Sequence, residues 1–135
     1  MTLYVSWGGS GTTDSLRNAA RNAKESGTSL VYLGVVDDES FGDVDGATME
    51  MLVEELNFLL RTQLVGVTRQ IGAAELPTSV EIRRGDVAAA IADVASHINA
   101  SAALIGGPLP IDADTDPDAT IASLAHKCGL DLRLI

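Results

Sequence analysis

Residues Leu30-Val31-Tyr32-Leu33-Gly34-Val35-Val36 form an unbroken apolar run of seven. A strand without polar alternation has both faces buried, a condition met where helices cover both sides of a parallel sheet. A second such run, Ala102-Ala103-Leu104-Ile105, lies further along, and Leu3 to Trp7 reads as a third, ending at Gly8-Gly9-Ser10-Gly11. Val80-Glu81-Ile82 alternates in character, and Leu130 to Ile135 forms the last extended segment.

Helical spacing fills the intervals. Thr12 or Thr13 can cap a helix carrying Leu16, Ala19, Ala20 and Ala23, which Gly27 ends. After an acidic loop from Asp37 to Gly46, the residues Leu52, Leu56, Leu59, Leu60, Leu64, Val67 and Ile71 are expected to form one apolar stripe on a long helix. Gly85-Asp86 turns into a helix with Val87, Ile91, Val94, Ala95 and Ile98 on one face. Asp116 is the expected cap, with Pro117 at the first position, of a short helix through Ile121, Leu124 and Ala125. The alternating order β-α-β-α-β-α-β-α-β predicts a doubly wound α/β protein, a three-layer α/β/α sandwich around a five-stranded parallel sheet. Such sheets bind ligands at the carboxyl ends of their strands, where the strand order reverses.

The length of 135 residues fits a single domain, residues 1–135. With 46% hydrophobic and 4% aromatic residues, Ala, Val, Leu and Ile make the core. No segment reaches the ~20 apolar residues of a membrane span, so no membrane partner is expected. The one cysteine, Cys128, cannot form an internal disulfide, which fits a reducing compartment and a cytoplasmic location. Nine Lys and Arg against 19 Asp and Glu give a net charge of −10. Nucleic acid, which needs a basic face, is not an expected partner; solubility or a salt-rich host would account for the acidity.

Three stretches resemble the universal stress protein family, with its adenine nucleotide alpha hydrolase-like fold. Trp7-Gly8-Gly9 stands where the family has Asp-Gly-Ser. Gly85-Asp86-Val87-Ala88-Ala89-Ala90-Ile91 resembles its Gly-Asp-Pro-x-x-x-Ile turn and third helix. Ala102-Ala103-Leu104-Ile105-Gly106 resembles its fourth strand. The resemblance implies a sheet of order 3-2-1-4-5. It also implies a homodimer, here paired through Leu130–Ile135, the edge strand in that order.

Family members that hold ATP carry Gly-x-x-Gly, nine residues, then Gly-Ser or Gly-Thr. Glycines let backbone N–H groups approach the phosphates, and the helix that follows offers an electropositive N-terminus. Here the same frame reads Gly106-Gly107-Pro108-Leu109, nine residues, then Ala119-Thr120. Leu109 and Ala119 replace two glycines, and Pro108 and Pro110 remove two N–H donors. Trp7 replaces an acid that the resemblance places at the nucleoside. It could stack on a base or fill the nucleoside's space. Nine of the 19 acids lie in two loops without Lys or Arg: Asp37, Asp38, Glu39, Asp43 and Asp45, and Asp112, Asp114, Asp116 and Asp118. Both loops rimming one cleft would repel a triphosphate.

The expected role is therefore a non-enzymatic regulatory or stress-response module without a cofactor, acting through dimerisation and partner contacts. The alternative is a module that binds ATP or AMP through a cleft of Gly8, Gly9, Val36, Asp37, Gly106, Gly107 and Thr120. The turn Gly8 to Gly11 reads either as a phosphate cradle or as a plain strand-to-helix turn. Ser10-Gly11-Thr12-Thr13-Asp14-Ser15 resembles the loop of ATP pyrophosphatases, but one glycine is missing and it sits too far past the strand. Asp112-x-Asp114-x-Asp116-x-Asp118 has the alternation of a Ca²⁺ loop, yet Pro117 and Ser123 stand where that loop needs Gly and Glu. Neither His97 nor His126 has a second ligand at helical spacing, so no metal is expected, and no catalytic set of residues stands out.

Overall fold

The computed structural model describes residues 1–36 and 45–135. The chain runs β1 (Thr2–Trp7), α1 (Thr13–Ser26), β2 (Leu30–Val36), α2 (Gly46–Gln70), β3 (Thr78–Arg84), α3 (Val87–Ile98), β4 (Ala102–Ile105), α4 (Pro117–Cys128) and β5 (Asp131–Leu134). All strand pairs are parallel, in the order β3-β2-β1-β4-β5. The expected architecture and sheet order are both present.

Two apolar layers flank the sheet. Val5, Leu33 and Ile105 face α3 and α4, meeting Ile91, Val94, Ile121 and Leu124. Tyr4, Leu30, Tyr32 and Val80 face α1 and α2, meeting Leu16, Ala19, Ala20, Leu60 and Leu64. Small residues on α1 let its backbone lie close to the strands. Gly34 does the same for α2: a β-carbon there would stand 2.9 Å from Leu60 Cδ1 and 3.2 Å from Ile82 Cδ1. The break in the apolar bulk of β2 is thus a packing requirement.

Caps follow from the sequence. Thr12 accepts from Ser15 N while the Ser15 hydroxyl accepts from Thr12 N, a reciprocal capping box. Asp86 and Asp116 cap α3 and α4, with Pro117 at the first position of α4. Asp45 accepts from Thr48 N at 2.7 Å, and hydrogen bonding from Thr48 holds its carboxyl below its ordinary range.

The α2 stripe needs correction. Met49, Leu60, Leu64 and Val67 are buried, and Leu56 and Ile71 pack at the edge of that layer, but Leu59 is exposed. Apolar residues nearly encircle this helix, so spacing alone leaves its inner face ambiguous. Leu59 is one residue from Leu60 and points about 100° away.

Candidate functional site

The order reverses at β1, whose neighbours are β2 and β4. From this switch point α1 leaves toward one layer and α4 toward the other. The loops after β1 and β4 thus meet at the carboxyl end of the sheet, where a ligand is expected in such folds.

The turn after β1 is closed by its own hydrogen bonds. Ser10 N donates to Trp7 O at 3.1 Å, Trp7 N donates to Ser10 Oγ at 2.9 Å, and Ser6 Oγ donates to Ser10 O at 2.7 Å. Gly8 N donates to Val35 O at 3.0 Å. Gly8, Gly9 and Gly11 have φ of 60°, 80° and 100°, a region that only glycine enters without strain. The glycines therefore serve the shape of the turn, and two of its N–H groups point into the protein.

The loop after β4 folds back onto the sheet. Gly106 N donates to Val5 O at 3.0 Å and Gly107 N to Ile135 O at 2.9 Å. Ile111 N donates to Leu109 O at 2.9 Å, and residues 108 and 110 are prolines. Leu109 is 9% exposed and belongs to the α3/α4 layer, with Ile111 packed beside it. Pro110 lies over the β1 turn, its Cγ 3.5 Å from where a Gly8 β-carbon would stand. Gly106 has a packing reason of its own, because a β-carbon there would collide with Tyr4 Oη and lie 2.7 Å from Gly11 Cα.

The candidate residues spread over three concavities among the described residues. Thr120 lines a cavity of about 420 Å³ with Trp7, Asp86, Val87, Ala119, Ser123, Leu124 and Lys127, at the N-terminal end of α3 and along α4. Gly9 lines a smaller one of about 130 Å³ between the β1 turn and α2. Val36 lines an apolar groove of about 250 Å³ along α2. Gly8 is exposed beneath Pro110, Gly106 is buried and Gly107 rests against Leu134. Asp37 lies outside the described residues, as do Asp38, Glu39 and Asp43 of the acidic rim.

Trp7 is half-buried, packed against the α3/α4 layer with its remaining surface in the larger cavity. The Thr120 hydroxyl donates to Asp116 O at 3.0 Å within its own helix. Asp112, Asp114, Asp116 and Asp118 are all exposed. Among the described residues no group of three or more His, Cys, Asp or Glu side chains could hold a metal ion. His97 and His126 are exposed, His97 lying 3.5 Å from Asp93 Oδ1. Cys128 is half-buried beside the α3/α4 layer.

Sequence reasoning overlooked Lys127 and Ser123 in the larger cavity. Thr120, Ser123 and Lys127 recur at three and four residues, so they share one face of α4, and that spacing was the available signal. It also missed the approach of Pro110 to Gly8, which depends on how the loop folds back.

No helix among the described residues is long and apolar enough to cross a membrane. No curated protein matches the chain at a significant level. Among solved structures, a universal stress protein family member from Burkholderia pseudomallei is similar at 19% identity and TM-score 0.63, covering 99% of this chain and 95% of that one. A universal stress protein in complex with cAMP is similar at 11% identity and TM-score 0.62, covering 99% and 95%. One from Archaeoglobus fulgidus in complex with dAMP is similar at 16% identity and TM-score 0.57, covering 100% and 98%. These likenesses are of fold. The family model described as the universal stress protein family matches residues 6–107, which include the β1 turn, the Gly85-Asp86 turn and all of β4. On that match, the chain belongs to the universal stress protein family.

Proposed function

We propose that this protein is a non-catalytic stress-response module that does not hold ATP and acts through contacts with other protein chains. The observation that carries this reading is the loop after β4. Where a triphosphate would need open N–H groups, Leu109 packs into the core with Ile111 against it, and Pro110 sits beside Gly8. The N–H groups of Gly106 and Gly107 are bonded to Val5 and Ile135. A phosphate would have to break these bonds, expose Leu109 and approach four exposed aspartates on the same loop and helix end. Its contact surface includes the open edge of β5, where pairing with a second copy would satisfy the free backbone groups. Denaturing the purified protein and identifying released small molecules by mass spectrometry tests this reading. The expected result is no nucleotide; ATP at near-full occupancy would overturn it.

A second reading is favoured by one observation. The 420 Å³ cavity between α3 and α4 is large enough for a small ligand, since ligand sites begin at about 300 Å³. It offers a half-buried tryptophan for stacking and Lys127 for a single negative charge. Structures of the same fold contain cAMP and dAMP. On this reading the ligand is an adenine nucleotide with one phosphate. Titration with AMP beside ATP separates the two, because the second reading requires saturable AMP binding that Trp7 fluorescence reports.

A further inference from the structure

Helix α2 carries more apolar surface than its contact with the sheet uses. Met51, Phe58 and Val65 are 61%, 74% and 48% exposed, and Leu59 beside them is 52% exposed. Met51, Phe58 and Val65 recur every seven residues, which sets them in one line along the helix. That line runs opposite the buried Met49, Leu60 and Val67.

The line has a centre and a polarity. Phe58 is the midpoint of Gly46–Gln70. Before it lie Glu50, Glu54 and Glu55, and after it lie Arg61 and Arg69, so the acids of α2 are all in one half and its bases all in the other. Acids early and bases late suit the helix dipole, which accounts for the polarity in an isolated helix. It does not account for the exposed apolar line between them.

We propose that this face of α2 docks against the same face of a second copy, with the helices antiparallel and a two-fold axis at Phe58. In that arrangement Met51 of one chain lies opposite Val65 of the other. Glu54 shares a flank with Arg61 of the second copy, twice over by symmetry. A parallel arrangement would set acids against acids. The antiparallel one also opposes the two helix dipoles favourably and closes on itself, as an isologous contact must. α2 packs over β2 and β3, at the end of the sheet away from β5. The contact is therefore separate from pairing through β5 and does not rest on it.

Single-cysteine chains carrying Cys128→Ser with either Met51→Cys or Val65→Cys test the arrangement with a short bis-maleimide, Phe58 being kept in both. An equal mixture of the two chains should cross-link into a covalent dimer. Either chain alone should not exceed a control with Asn18→Cys on the exposed side of α1. Adding Arg61→Glu to both chains should abolish the cross-link, and adding Glu54→Arg as well should restore it. Circular dichroism checks that each variant is folded. A mixture that cross-links no better than its separate components, or a charge reversal that does not restore the product, overturns the proposal.

Discussion

The phenolic oxygen of Tyr4 occupies the space that a β-carbon at position 106 would need, so Gly106 and Tyr4 exclude any side chain between them. The Tyr4 hydroxyl is held there by a 2.5 Å hydrogen bond to Ser15 Oγ, inside the α1 layer. One glycine of the degenerate loop is therefore explained by packing alone. Gly106→Ala should lower stability by about 3 kcal/mol, as overpacking of a dense core does. Tyr4→Phe in the same chain removes the colliding oxygen and should recover part of the loss, leaving the contacts with the ring Cζ at 2.8 Å and Gly11 Cα at 2.7 Å. Urea denaturation of the two single variants and the double variant measures this coupling. Simple additivity would mean that the two residues do not meet.

Leu109 was expected only as a lost glycine, yet it is part of the core. Leu109→Ala should cost about 2 kcal/mol, toward the low end for a buried leucine because it sits at the edge of its layer. Leu109→Gly with Ala119→Gly should cost more and should still not produce tight ATP binding, since Trp7, Pro108, Pro110 and the loop aspartates remain. A gain of micromolar ATP affinity from these two substitutions would show that backbone access alone limits binding.

Tyr32 gives a pH signature. Burial, then the nearby Tyr4, pushes its phenol up to about 12, while an unfolded tyrosine titrates near 10. Below pH 10 both states keep the proton. Between pH 10 and 12 the unfolded chain releases a proton that the folded chain retains, so the unfolded state binds fewer and stability falls as pH rises. Denaturation midpoints should decline across that window. Because the protein has two tyrosines, Tyr4 and Tyr32, and burial raises both, tyrosinate absorbance should appear together with unfolding. Normal titration of either in the folded protein would contradict the burial.

Pairing through β5 has a specific donor pattern. Asp131 N and Ile135 N donate inward to Ser101 and Ile105. By strand alternation the N–H groups of Leu132 and Leu134 face the open edge. Leu134→Pro should therefore weaken dimerisation and spare the inward ladder. With Arg61→Glu in every chain, so that the α2 contact is disfavoured, light scattering should give a dimer for the parent chain and a monomer for a folded Leu134→Pro chain. A monomeric parent chain, or a proline variant that stays a dimer, would count against this edge.

The fold was largely legible because each cue agreed with its neighbours. Leu30–Val36 had no polar residue to face water, Asp116-Pro117 announced a helix start, and each of the first four strands was followed by a helix. The inner face of α2 was less legible, since Leu59 and Leu60 are equally apolar and tertiary packing chose between them. The candidate cleft was read from spacing in the Gly106–Thr120 frame. Spacing says which residues could converge but not which N–H groups the sheet has already claimed. Gly106 and Gly107 look available in sequence, and in the structure Val5 O and Ile135 O hold them. Leu109 and Pro110 likewise read as losses to a phosphate loop, whereas Leu109 is core and Pro110 sits against Gly8 of the β1 turn.

Isothermal titration calorimetry of the purified full chain with Mg-ATP tests the central claim most directly. In the loop after β4, Leu109 is core and the Gly106 and Gly107 N–H groups are bonded to Val5 and Ile135, so no saturable heat is expected at micromolar nucleotide, and none should emerge when the loop aspartates are screened by salt. A one-to-one isotherm of micromolar affinity would contradict the claim and make this chain a nucleotide-binding member of its family.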